Sequence, residues 1–106
     1  MKSVKYSLKR RNMNLEPEYK EKIIGILTVL FPDAKIYLFG SRARGTHSEK
    51  SDIDIAIDEG KEIRPGRIGE AINMFAESRI PYKVDVVDFH GISEKMQYFI
   101  KKEGIL

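Results

Sequence analysis

The stretch Ile36-Tyr37-Leu38-Phe39-Gly40-Ser41, separated by ten residues from Asp52-Ile53-Asp54-Ile55-Ala56-Ile57-Asp58, decides how this chain is read. Its first part is a short apolar, aromatic-rich run that stops at a glycine, which predicts a buried strand and a turn. Its second part alternates, with Ile53, Ile55 and Ile57 on one face and Asp52, Asp54, Ala56 and Asp58 on the other. Such alternation is the mark of a strand whose apolar face is buried. Residues two apart on a strand point the same way, so the carboxylates of Asp52 and Asp54 stand side by side. Neighbouring carboxylates repel, and a bound divalent cation relieves that repulsion. Mg²⁺ is the hard cation usually held by one or two carboxylates together with substrate phosphates. An isolated Asp-x-Asp is more often an ordinary exposed strand face, so the pair needs company to mean more.

Outward from this core the elements alternate. Upstream, Tyr19, Ile23, Ile26, Leu27 and Leu30 recur at the spacing of one helix face. Pro17 suits the first turn of that helix and Pro32 ends it. Ser41 to Gly45 reads as a turn or short helix, and Thr46 to Lys50 as a polar loop. Downstream, Gly60 to Gly66 is a charged loop. Ile68, Ile72, Phe75 and Ala76 then mark a second amphipathic helix that ends before Pro81. Residues 83–89 read as a third strand. Ser93 is a fitting N-cap for a last helix carrying Met96, Phe99 and Ile100, with Gly104 as its stop. The order α-β-α-β-α-β-α predicts an α/β (α+β) domain with a small mixed sheet of about three strands flanked by helices. Residues 1–14 read as a basic N-terminal arm and 15–106 as a single domain.

Two further features join the aspartate pair. Asp85, between Val84 and Val86, is an acid with β-branched neighbours, costly to bury without a partner. If the second and third strands are adjacent, it becomes a third carboxylate beside Asp52 and Asp54. Asp88 falls on the opposite face of the same strand. Gly40-Ser41 leaves a strand where a helix could begin. Glycine permits tight backbone approach, and N–H groups at a helix start attract phosphate. Arg42 and Arg44 add charge-assisted donors for phosphate oxygens. His47 and His90 match no metal spacing, and Tyr37, Tyr82 and Tyr98 read as packing or rim residues.

Composition narrows the class. Of 106 residues, 42% are hydrophobic and 33% charged, a balance that suits a globular domain rather than a disordered one. A core of this size favours an open cleft, or a site completed by a partner, over an enclosed pocket. With no cysteine, disulfides, thiolate metal sites and cysteine nucleophiles are excluded. No apolar run has the length of a membrane span, and the expected location is the cytoplasm. The net charge of +3 suits anionic partners. Nucleic acid is the least favoured of these, because the clustered acids would repel its backbone.

Gly-Ser, ten residues and Asp-x-Asp on the expected elements should arise by chance in about one chain per thousand of this length. The stretches Leu38-Phe39-Gly40-Ser41-Arg42-Ala43-Arg44-Gly45, Ser51-Asp52-Ile53-Asp54-Ile55-Ala56-Ile57 and Val84-Asp85-Val86-Val87-Asp88 closely resemble the minimal nucleotidyltransferase family, within the superfamily that includes DNA polymerase beta. Where many members carry an arginine, three residues before the Ser-Asp-x-Asp stretch, this chain has Ser48. The resemblance implies the nucleotidyltransferase fold. It implies that Gly40 and Ser41 hold the triphosphate of ATP or another nucleoside triphosphate, with Arg42 and Arg44 nearby. It implies that Asp52, Asp54 and Asp85 are catalytic and bind two Mg²⁺ ions. The implied reaction transfers AMP to a hydroxyl and releases pyrophosphate. Minimal members typically pair with a small helical HEPN protein, often a toxin, so the implied acceptor is a tyrosine of that partner and the implied role is antitoxin. Homo-oligomers are compatible with it. The competing expectation is a catalytically silent antitoxin that neutralises its partner by occlusion.

Overall fold

The computed structural model describes residues 15–40 and 52–103. Within them the order is α1 (Pro17–Leu30), β1 (Lys35–Phe39), β2 (Ile53–Asp58), α2 (Pro65–Glu77), β3 (Val84–Asp88), a 3₁₀ turn (Phe89–Gly91) and α3 (Glu94–Glu103). Proline starts both α1 and α2, where the missing N–H would have no intrahelical partner anyway. At the end of α1, Phe31 N–H donates to the Leu27 carbonyl at 2.7 Å before Pro32 forbids another turn. The hydroxyl of Ser93 accepts from the Met96 amide at 3.2 Å, the capping bond expected for α3. The positions at 41–45 and Gly104 lie outside the described residues.

The three strands form one mixed sheet in the order β1-β2-β3. β1 and β2 are antiparallel, and β2 and β3 are parallel, joined across one face by α2. On that face Ile53, Ile55, Ile57, Val84, Val86 and Leu38 pack against Ile23, Leu27 and Phe31 from the end of α1, and against Ala71 and Phe75 of α2. The opposite face carries a smaller cluster of Ala56, Phe89 and Ile100, with Tyr37, Phe39 and Val87 beside it. Tyr37 stacks on Phe89 with ring centroids 5.5 Å apart. Ala56 is therefore fully buried although it sits on the acidic face of its strand.

Two helices differ from their expected faces. In α2 the buried residues are Ala71 and Phe75, while Ile72 is 41% exposed. The helix presents the small Ala71 to the sheet, which turns Ile72 and Ala76 outward. Among the described side chains of α3 only Ile100 is buried; Met96 and Phe99 are exposed, because the helix touches the sheet along a narrow line. The third strand also stops one residue early, and Phe89 enters the 3₁₀ turn.

Polar contacts lock the end of the sheet remote from Gly40. Arg67 makes a two-pronged bond to Glu59, at 2.7 and 2.8 Å, and reaches the Leu30 carbonyl at 3.1 Å. Its guanidinium also lies 4.8 Å from the Phe31 ring centre, so one side chain joins α1, α2 and the exit of β2. Asp58 accepts from the Gly60 amide at 2.8 Å and lies 2.6 Å from His90 Nε2. Burial pushes the Asp58 carboxyl up, but the Gly60 amide, His90 and the charge of Lys35 outweigh it and hold it below its ordinary value. A carboxyl lowered by folding stabilises fully above the unfolded-state value, about pH 3.9, and loses that stabilisation as pH falls through the folded one. Thermal melts should therefore show the protein losing stability below about pH 4. Asp58→Asn should melt lower at pH 7 and lose less on acidification; parallel curves for the two proteins would refute the assignment.

Candidate active site

The site forms at the opposite end of the sheet, where β1 ends and β2 and β3 begin. The pairing register sets Phe39 opposite Asp54, and Asp54 opposite Asp85. Paired residues of adjacent strands share a face, so Asp54 and Asp85 stand next to each other, with strands spaced about 4.8 Å apart. The apolar face of β2 anchors this arrangement. Ile53, Ile55 and Ile57 are wholly buried, which forces the alternate residues, Asp54 among them, to the other side. Asp52 precedes β2 at the same end and is exposed.

Gly40 closes the row. It follows Phe39 directly and has φ +78°, a left-handed conformation that suits glycine. A β-carbon built on it would lie 3.2 Å from Cγ of Asp54 and overlap its Oδ2. Glycine is thus required twice here, for the turn and for the closeness of the Asp54 carboxylate. The sequence reading expects close approach of a phosphate at Gly40; in the structure the group beside it is the Asp54 carboxylate. Ser41, Arg42, Arg44 and His47 lie outside the described residues.

Asp85 is half-exposed, and its Oδ1 lies 3.7 Å from Lys83 Nζ. Lys83, just ahead of β3, was not singled out by the sequence reading. Asp88 is occupied elsewhere. Its Oδ2 accepts from the Ile63 amide at 2.9 Å and its Oδ1 from the His90 amide at 3.0 Å. It faces the main core side, away from Asp54 and Asp85, and acts as a brace for the loop after β2. His90, which matches no metal spacing in the sequence, forms the Asp58 contact at the remote end. Tyr82 bonds through its hydroxyl to the Glu16 carboxylate at 3.1 and 3.2 Å and meets Tyr19 edge-on at 5.8 Å. It ties the segment entering β3 to the start of α1.

Among the described residues, no three His, Asp or Glu side chains are grouped so as to hold a metal ion by themselves. The donor set nevertheless fits a hard cation that takes its remaining ligands from phosphate and water: all-oxygen, two carboxylates abreast and a third one step away. Chemically, the row offers concentrated negative charge beside a glycine turn, a place for a cation-bound phosphate rather than for a bare anion.

The sequence pattern of the family described as Polymerase beta, Nucleotidyltransferase matches residues 21–106. The Haemophilus influenzae protein named Probable protein adenylyltransferase MntA is 36% identical over 80 residues, which cover 73% of this chain and 68% of that protein. A chain in the crystal structure of a toxin-antitoxin with AMP-PNP superposes with a TM-score of 0.70 at 32% identity, covering 81% of this chain and 69% of its own. A chain in the structure of a tri-AMPylated Shewanella oneidensis HEPN toxin in complex with MNT antitoxin gives a TM-score of 0.67 at 27% identity, over 86% and 70%. With residues 21–106 matched and a curated relative at this identity, the chain belongs to the polymerase beta nucleotidyltransferase family, among its minimal nucleotidyltransferases.

Proposed function

We propose that this chain is a Mg²⁺-dependent nucleotidyltransferase that moves AMP from ATP to a tyrosine hydroxyl of a HEPN-type partner, and so acts as a cytoplasmic antitoxin. The observation that carries the reading is the row Gly40, Asp54, Asp85, in which the glycine turn lies against one carboxylate and the second stands abreast of it. A relative named as a protein adenylyltransferase, and neighbours that contain AMP-PNP or an AMPylated HEPN toxin, support the choice of AMP and of acceptor.

In this reading Asp52, Asp54 and Asp85 would hold two Mg²⁺ ions. Bound there, the ions would neutralise the phosphate oxygens and acidify the acceptor hydroxyl. The chain's own part is positioning and proton handling, which is most of what such a transfer needs from a protein. The turn at Gly40 and Ser41, with Arg42 and Arg44, grips the triphosphate through backbone N–H groups and charge-assisted bonds. Asp85, half-exposed and last in the row, receives the proton of the incoming hydroxyl. The Tyr82–Glu16 bond keeps the strand that carries Asp85 from shifting.

The test is transfer itself. The chain, incubated with ATP labelled at the α-phosphate and its co-purified partner, should label the partner and release pyrophosphate, only with Mg²⁺ present. Neutralisation of the partner without label or pyrophosphate would replace this reading with the occluding antitoxin.

A further inference from the structure

The carboxylate row has to stand in the folded protein before any metal binds to it. Asp54 and Asp85 are level with each other on paired strands, with Asp52 exposed at the same end, so like charges share a small region. Such charges repel unless a cation lies among them. Lys83 supplies one. Its Nζ lies 3.7 Å from Oδ1 of Asp85, and its side chain is 72% exposed against 42% for the carboxylate.

We infer that Lys83 is a positioning residue that holds Asp85 as a stand-in cation and gives up this place when a metal arrives with its nucleotide. The inference rests on the proposed metal-dependent reading of the row. Three observations carry it. The first is place. Asp85 is in register with Asp54, so a charge beside Asp85 also acts on Asp54, one strand spacing of about 4.8 Å away. The second is anchorage. The backbone under Lys83 is held on both sides: its carbonyl accepts from the Ile53 amide at 2.9 Å, and the preceding Tyr82 bonds to Glu16. The ammonium therefore starts from a fixed root beside Asp85, while its four-carbon stem leaves the head free to swing. The third is strength. The pair is exposed and longer than an ideal hydrogen bond, and such pairs hold their partners weakly. A buried, tightly bonded lysine would shut a metal out; this one can be displaced.

The consequence is coupling. In the free protein Lys83 opposes metal binding, because it occupies Asp85 and its own charge repels the incoming ion. With a triphosphate present, the released ammonium pairs with phosphate oxygens instead, and the opposition ends. Lys83 thus makes metal binding depend on nucleotide and, by reciprocity, nucleotide binding depend on metal.

Titration of the whole chain with Mn²⁺, followed by electron paramagnetic resonance, tests this without the partner and without turnover. In the absence of nucleotide, Lys83→Gln should bind Mn²⁺ about fivefold more tightly than wild type. With a non-hydrolysable ATP analogue present it should lose that advantage. Lys83→Arg should behave as wild type. Lys61→Gln removes an exposed lysine from the loop after β2, at the remote end of the sheet, and should leave the Mn²⁺ affinity unchanged. The inference is overturned if Lys83→Gln binds Mn²⁺ no more tightly than wild type, or if its gain persists in full with the nucleotide. It is also overturned if Lys61→Gln gives an equal gain, which would be an effect of net charge alone. Absence of Mn²⁺ binding by the wild type with the analogue present, or binding that Asp54→Asn leaves intact, would instead remove the metal-dependent reading of the row, and the inference with it.

Discussion

Asp54→Asn is expected to lower nucleotidyl transfer by about a hundredfold or more while leaving the melting temperature close to wild type. Asp54 is the middle of the row: opposite Phe39 on one side, opposite Asp85 on the other, and against the turn at Gly40. Asparagine keeps the shape and one carbonyl oxygen but removes the charge that a phosphate-bound cation requires. Stability should barely move, because the substitution also removes the repulsion between neighbouring carboxylates. The combination is diagnostic. A structural role would lower the melting temperature along with activity, whereas loss of a cation ligand lowers activity alone. The measurement is the α-labelled transfer assay beside a thermal melt and a titration with a non-hydrolysable ATP analogue. Transfer at the wild-type rate would remove Asp54 from the mechanism.

Gly40→Ala is expected to destabilise the protein by about 1–3 kcal/mol and to abolish transfer. Two costs act together, and a second glycine separates them. Gly40 and Gly60 both have left-handed backbones, with φ +78° and +85°. A β-carbon at Gly60 meets nothing within 4 Å, whereas one at Gly40 overlaps the Asp54 carboxylate. Gly60→Ala therefore meets backbone strain alone, costing about 1–2 kcal/mol, and should keep full activity. Gly40→Ala meets the same strain and must also push Asp54 out of the row. Chemical denaturation of the two variants, with transfer measured in parallel, tests the pair. Equal loss of activity in both would mean that the turn, and not its closeness to Asp54, matters.

Much of this molecule follows from local patterns. The alternation Ile53, Ile55, Ile57 against Asp54 and Asp58 survives into β2, because only one register buries three isoleucines, and a slip of one residue would bury the acids. Pro17 and Pro32 bracket α1 for equally local reasons: one fits a helix start and the other cannot continue a helix. Gly40 and the aspartate pair stand out as candidates because a glycine's backbone freedom and a carboxylate's charge are properties of the residues themselves. The separation of Asp85 from Asp88 is also legible in the sequence, since period two puts residues three apart on opposite faces.

What local pattern could not supply is pairing. Residues 84–88 could lie beside either β1 or β2, and in more than one register; only their parallel pairing with β2 puts Asp85 level with Asp54 and leaves Asp88 to bond Ile63 and His90. The burial of Ala56 depends on Phe89 and Ile100 arriving from far along the chain. The rotation of α2 depends on which of its small residues lies closest to the sheet, and that rotation leaves Ile72 and Ala76 exposed. Periodicity along a chain says which side of an element is apolar. The contacts that decide what each side meets join residues distant in sequence, and those exist only once the sheet has closed around its core.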